Sequence, residues 1–300
     1  MARPITKAIV PAAGLGTRLL PATKAQPKEM LPVGRKPVVQ YVVEELKAAC
    51  LQQILIITGR HKRTIEDHLD ADPQLIAALK QAGNEAVLAD LAYLDDKARF
   101  YYIRQSEPRG LGHAISLCRD FVDSDDCVVS LGDTLIAAED PAAPLLGMIK
   151  AFQDLGAAAV VAVEKVAAAE TFRYGVVRLS GAEPPPGQPV AITDIVEKPP
   201  LGTAPSNLAV AARYVFSPAI YDALERTAPD RRGEVQLTDA IKVLIQMGQP
   251  VYAWPLGPDQ VRYDVGNFES YFHAFIDFAL ADERYGYLVR KYIKAKAYEL

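Results

Sequence analysis

Between Lys7 and Leu31 the chain reads KAIVPAAGLGTRLLPATKAQPKEML, a stretch in which small residues give way to cations. Around Ala12, Ala13, Gly14 and Gly16 a ligand can come close to the backbone and meet several N–H groups. Arg18, Lys24 and Lys28 follow with fixed positive charge. Backbone donors and cations together suit a polyphosphate, so the stretch reads as a nucleotide site; the alternative is a glycine turn ahead of a solvated basic loop. Two familiar glycine loops do not fit. The dinucleotide fingerprint G-x-G-x-x-G needs a third glycine where Leu19 stands, and it needs a helix directly after the loop. Pro21, Pro27 and Pro32 interrupt every candidate helix there. No G-x-x-x-x-G-K-[ST] loop is present either.

Other polar groups stand where strands should end. Gln105 follows the apolar run 100–104, and Asp133 follows 128–131. A bare carboxylate after a buried strand is costly unless it is paired or holds a metal. Glu197 and Lys198 sit in Val196-Glu197-Lys198-Pro199, with Tyr174-Gly175-Val176-Val177 upstream. Asp264, in Tyr263-Asp264-Val265-Gly266-Asn267, reads either as a second metal-binding acid or as a cap for a helix starting at Phe268. No Ser/His or Cys/His constellation stands out among the four histidines, so nothing suggests a covalent nucleophile.

These groups need a scaffold. Residues 8–10, 54–58, 100–104, 128–131 and 157–163 are short apolar runs, as expected of strands buried on both faces. Helical patterns separate them: one opened by Pro37, one over 61–69, two pieces between 73 and 96, one after Gly110 and one through Leu145 and Phe152. The alternation predicts an α/β fold with a doubly wound, mostly parallel (mixed) sheet, in which ligands sit beyond the carboxyl ends of strands. Gly14, Gln105 and Asp133 all fall there. In the second half, short strands over 176–179, 191–196 and 208–216 suggest a small β subregion laid against the sheet. Helices follow at 218–227 and 237–247, with a strand at 251–256. A helical tail carries aromatic stripes through Phe268, Tyr271, Phe272 and Phe275, then Tyr285, Leu288 and Tyr292. The expected division is a catalytic domain over 1–267 and a helical extension over 268–300 that forms a homodimer or homotetramer contact.

Composition sets outer limits. Half of the residues are hydrophobic, 23% are charged, and the net charge is -4, so a general nucleic-acid binder is disfavoured. Cys50, Cys118 and Cys127 lack metal-binding spacing and read as reduced thiols. No basic-then-apolar leader precedes the first strand and no apolar run could span a bilayer, so the expectation is a cytoplasmic protein without a membrane partner.

The segment GLGTRLLPATKAQPKEMLPV resembles the signature loop of the sugar-1-phosphate nucleotidyltransferases, a Rossmann-like fold. In its ATKAQPKEMLP form it is similar to the bacterial UTP–glucose-1-phosphate uridylyltransferases, also called UDP-glucose pyrophosphorylases, and likeness continues to about Asp264. The resemblance implies UMP transfer from UTP to glucose 1-phosphate, with release of pyrophosphate. It implies that Arg18 and Lys28 hold the triphosphate, supported by the backbone from Gly14 to Thr17. Gln105, Glu29 and the Gly110 backbone would read the base. Lys198 would neutralise the sugar phosphate, Glu197 would accept from sugar hydroxyls, Gly175 would let the sugar approach the backbone, and Asp133 and Asp264 would bind Mg²⁺. Many relatives carry a second acid directly after the first aspartate, where Thr134 stands here. The segments PSNLA and GEVQLTDA resemble the uridylyl type. The alternatives are a glucose-1-phosphate thymidylyltransferase, an inactive nucleotide-sensing relative, and an NAD-dependent oxidoreductase, which the broken fingerprint disfavours.

Overall fold

A computed structural model describes residues 3–94 and 98–297. In the first half, strands and helices alternate: β1 (Lys7–Pro11), the short hairpin β2 (Pro32–Val33) and β3 (Lys36–Pro37), α1 (Val38–Ala48), β4 (Gln53–Thr58) and α2 (Arg63–Leu69). Next come α3 (Pro73–Gln81), α4 (Glu85–Asp90), β5 (Arg99–Arg104), α5 (Leu111–Ser116), α6 (Arg119–Val122) and β6 (Cys127–Ser130). The chain continues through β7 (Thr134–Ala137), α7 (Ala143–Leu155), β8 (Ala159–Lys165), β9 (Gly175–Leu179), β10 (Val190–Glu197) and β11 (Leu208–Phe216). It closes with α8 (Ala219–Arg226), α9 (Leu237–Gln246), β12 (Val251–Pro255), β13 (Val261–Asp264), α10 (Phe268–Ala281) and α11 (Gly286–Lys296). Of the region 73–96 anticipated as helical pieces, residues 95 and 96 lie outside the described residues, as do 298–300 of the anticipated extension.

One nine-stranded sheet has the order β5-β4-β1-β6-β11-β8-β12-β10-β9. Its first four strands run parallel, with Ile9 level with Leu55 on one side and Val129 on the other. Alternate residues of these strands enter two cores. Ala8, Val10, Ile54, Ile56 and Val128 pack with α1 and α7, whereas Ile9, Leu55, Ile57 and Val129 pack with α5, α8 and α9. Covering both faces is why the strands read as unbroken apolar runs instead of alternating ones. The strands of the second half are not a layer laid against the sheet; they continue it. β11 enters antiparallel between β6 and β8, β12 runs parallel to β8, and β10 and β9 complete the edge in antiparallel fashion.

A second ribbon stands apart from this sheet. β7 and β13 pair antiparallel with Thr134 opposite Asp264. Both are only four residues long. Sequence periodicity has too few repeats to detect strands so short. α10 packs over this ribbon and the β2–β3 hairpin, with the Phe278 ring edge-on to Tyr41 and Tyr263. By contrast, α3 and α4 bury no side chain.

Candidate active site

The parallel strands deliver their following residues to one rim. After β1, Gly132 N donates to Pro11 O at 3.1 Å and Ala12 N to Ile57 O at 2.8 Å, locking the root of the loop to its neighbours. Ala12 therefore belongs to the sheet: its N–H is engaged and its side chain is buried, so it offers nothing to a ligand. The amides of Gly14, Leu15, Gly16 and Thr17 donate to no other group among the described residues. Gly16 turns the chain at φ +68° and Thr23 Oγ1 holds its carbonyl at 2.8 Å. Two short 3₁₀ turns, Thr17–Leu19 and Lys28–Met30, then present Arg18 and Lys28. A 3₁₀ turn is what the intervening prolines leave room for.

Two cavities, each about 450 Å³, open on this rim. The first is walled by Ala13, the loop from Gly14 to Arg18, Lys28, Glu29, Gln105 and Gly110. The second is walled by Gly175, Glu197, Lys198, Thr238, Arg262 and Asp264. Arg18, Leu111, Leu131 and Asp133 belong to both walls, so the two spaces meet at the cation and the carboxylate.

In the wall of the first cavity, Gln105 is almost fully buried; its Nε2 donates to Gly110 O at 3.1 Å and lies 2.9 Å from His113 Nδ1. Gly110 adopts φ +96°, and a Cβ built there would lie 2.4 Å from Val235 O. Val235 is held by Arg109 O and in turn accepts from Gly112 N, both at 2.8 Å. The segment 233–238 is thereby stitched to the Gly110 turn, and it lines both cavities through Glu234 on one side and Gln236 and Thr238 on the other. Glu29 lines the first cavity but is 1% exposed and paired with Lys62 at 2.6 Å. Burial pushes its carboxyl up, with the lysines opposing. His61, at φ +63°, turns the chain so that Lys62 reaches inward to it.

On the other side, Glu197 ends β10, with one oxygen 2.7 Å from the Thr238 hydroxyl and the other 3.0 Å from Lys198 Nζ. Gly175 sits where a Cβ would come within 2.9 Å of Thr238 Oγ1 and 3.3 Å of Glu197 Oε2. Lys198 has φ +43°, a conformation that L-residues avoid, and its N–H is tied to Tyr174 O at 3.0 Å. Strain of this kind persists where surrounding structure imposes it, commonly at working sites.

The acids meet at the end of the β7–β13 ribbon. Asp133 is in direct contact with Lys28, and its carbonyl accepts from Val265 N at 2.9 Å. Burial alone would raise the Asp133 carboxyl, but the Lys28 charge and hydrogen bond hold it below its ordinary range. Lys28 itself is raised: burial works against its charge, and the carboxylates around it prevail. Asp264 goes the other way, raised by burial and then by the Asp133 charge, against the pull of Arg262, Lys28 and Arg18. Helix capping, the other reading of Asp264, falls to Asn267, whose side chain accepts from Ser270 N at 3.1 Å. Two carboxylates beside a polyphosphate cavity are the donor set Mg²⁺ takes, since it keeps waters and substrate oxygens for its other positions. No third His, Cys, Asp or Glu joins them among the described residues. The residues fit the ion.

Thr238, Lys62 and Arg262 escaped the sequence reading. Arg262 contacts Glu164 and lies 4.8 Å from the centre of the Tyr174 ring, walling the second cavity. Its two-residue spacing from Asp264 puts both on one side of a strand, a signal available only once β13 is recognised.

The family model described as nucleotidyl transferase matches residues 7–279. The chain is 44% identical over 281 residues to UTP–glucose-1-phosphate uridylyltransferase 2 of Staphylococcus saprophyticus, covering 94% of each chain. Its structure is similar to UTP-bound UGPase from Acinetobacter baumannii, with a TM-score of 0.88, 35% identity, and coverage of 97% of this chain and 99% of that one. A UDP-glucose pyrophosphorylase complexed with UDP-glucose matches at a TM-score of 0.83 and 36% identity, covering 93% of this chain and all of that one at 100%.

Proposed function

The chain belongs to the nucleotidyl transferase family, and on that premise we propose that it transfers UMP from UTP to glucose 1-phosphate, giving UDP-glucose and pyrophosphate. The observation that carries this reading is the pair of cavities sharing one wall at Arg18 and Asp133. A glycine loop with free amides faces one space, and a strand-end Glu-Lys pair faces the other.

In the reaction, a phosphate oxygen of glucose 1-phosphate forms a bond to the α-phosphorus of UTP while the bond to the bridging oxygen of pyrophosphate breaks. Both partners are anions, so the protein's task is charge neutralisation and alignment. Arg18 grips the triphosphate through its planar fork, and Lys28 supplies a movable charge. The loop amides take the phosphate oxygens that face them. Gln105 and the Gly110 turn hold the base, and Glu29 shapes that pocket through its bond to Lys62. Lys198 meets the incoming sugar phosphate, and Glu197, steadied by Thr238, accepts from sugar hydroxyls. Asp133 and Asp264 would hold Mg²⁺, which when bound would supply charge neutralisation for the phosphates.

The wider reading extends to assembly and place. Exposed Phe272, Ile276, Tyr287, Leu288 and Tyr292 on α10 and α11 support a homodimer or homotetramer contact through the 268–300 extension, outside a 1–267 catalytic domain. No helix among the described residues is long and apolar enough to cross a membrane, in keeping with work in the cytoplasm.

Pyrophosphate release tests the reaction across UTP, dTTP, ATP and CTP, each with several sugar 1-phosphates. UTP with glucose 1-phosphate is expected to exceed every other pair. A tenfold preference for dTTP, about 1.4 kcal/mol, would put a thymidylyltransferase in its place, and no release with any pair would leave a nucleotide sensor.

A further inference from the structure

The ribbon that carries both acids hangs from the main sheet by few attachments, and one of them is ionic and buried. Arg213, 1% exposed on β11, forks onto Glu45 of α1 with bonds of 2.8 and 2.7 Å. The same guanidinium donates to Thr134 O at 3.0 Å and to Ala212 O at 3.2 Å. Thr134 is the residue directly after Asp133 and lies opposite Asp264 in the ribbon. We propose that Arg213 and Glu45 are positioning residues for the metal-binding carboxylates, fixing the root of β7 so that Asp133 and Asp264 keep their mutual placement.

Three further observations favour this over simple core stability. A buried ion pair is seldom more stabilising than apolar side chains of similar volume, so stability alone gives little reason for one here. β11 is also distorted to present the arginine: its register against β8 slips between Val210 and Tyr214, and Ala212 adopts φ +60° with a Cβ to accommodate. Ala212 O also accepts from Leu131 N at 3.2 Å, so the same kink secures the chain ahead of Asp133. Finally, a cavity of about 560 Å³ lies behind the ribbon, lined by Glu45, Leu135, Ile136, Tyr263 and Phe278. Packing holds Leu135 and Ile136 in the core but leaves this space beside them, so the arginine's bonds add the direction that packing there does not impose.

The inference rests on Asp133 and Asp264 as the metal ligands, and its test separates the two ideas. The double variant Arg213→Met/Glu45→Met replaces the pair with apolar chains of similar reach and leaves no lone buried charge. Its Tm should stay near that of the parent. Its kcat should fall roughly ten- to a hundredfold, as for other groups that orient metal ligands. The Mg²⁺ concentration for half-maximal rate should rise, while KM for glucose 1-phosphate stays within about twofold, as the pair touches no substrate wall. Amide hydrogen exchange should quicken in 131–137 and 261–266 but not in β1 or β4. Arg213→Lys, which keeps the charge but loses the fork, should show the same pattern more weakly and serves if the double variant does not fold. Parental exchange in the ribbon with parental kcat would overturn the positioning role. Faster ribbon exchange, together with an unaltered Mg²⁺ curve for Asp133→Asn, would uphold it and overturn the metal assignment instead.

Discussion

Replacing Asp133 with asparagine keeps the shape of the shared wall but removes the charge that holds Lys28. We expect kcat to fall by roughly 10²–10³ and the Mg²⁺ dependence to move to higher concentration. Lys198→Ala should raise KM for glucose 1-phosphate and leave the Mg²⁺ curve near that of the parent, because lysine binds no metal. Titrating Mg²⁺ and sugar phosphate separately for each variant distinguishes them, and a parental Mg²⁺ curve for Asp133→Asn would put the metal at another strand end. Asp264 makes a separate prediction through its raised pKa. Folding favours its protonated form, so its stabilising contribution is present below the ordinary aspartate range and is lost as pH rises through the raised value. Metal-free Asp264→Asn should therefore melt higher than the parent at pH 7, with the difference closing as pH falls toward the ordinary aspartate range. Thermal melts across pH without added metal check this; a lower Tm for the variant at neutral pH would refute it.

At the level of elements, Gly175 decides how closely β9 approaches Thr238 and Glu197. Gly175→Ala requires no unusual φ, so its effect is purely steric: the new methyl meets Thr238 and Glu197. Such crowding costs about 1–3 kcal/mol. The expected result is a roughly five- to hundredfold loss of kcat/KM toward glucose 1-phosphate, with UTP affinity in binding titrations unchanged. An equal loss of UTP binding would show that the two cavities are not separable. The elements nearest this site were unevenly legible from sequence. β1, β4 and β6 announce themselves because both faces are buried, and Gly14 and Asp133 follow from where β1 and β6 must end; Gln105 follows β5, an edge strand whose faces are only partly covered. Arg213 gave no signal: it lies inside the apolar run of β11, and its partner Glu45 lies on the buried face of α1, more than 160 residues away in sequence. Lys62 and Thr238 were hidden for the same reason, since each works through a partner from a distant segment. The β7–β13 ribbon was missed because four-residue strands carry almost no periodicity.

For the whole molecule, the exposed tail sets the next expectation. α10 bonds its Tyr271 hydroxyl to Pro32 O at 3.0 Å and packs Phe278 against the ribbon, so removing it would disturb the acids as well as any contact. α11 offers a cleaner probe, because Tyr287 and Tyr292 are 60% and 64% exposed. Tyr287→Glu/Tyr292→Glu should shift the protein to a smaller species in light scattering, with kcat changed by less than about twofold, since neither side chain reaches the cavities. A parent protein that is already monomeric at micromolar concentration would remove the idea.

The contact between Lys28 and Asp133 also bears on electroneutrality at the wall the two cavities share. Within that wall the ammonium is the carboxylate's counter-ion, and a divalent cation bound there alone would compete with it among carboxylates already shared, Glu29 being paired with Lys62. On the proposed function, a triphosphate would bring a further anion to which Lys28 could turn, leaving Asp133 to hold the metal. The metal would then be expected to bind more tightly with its nucleotide than alone.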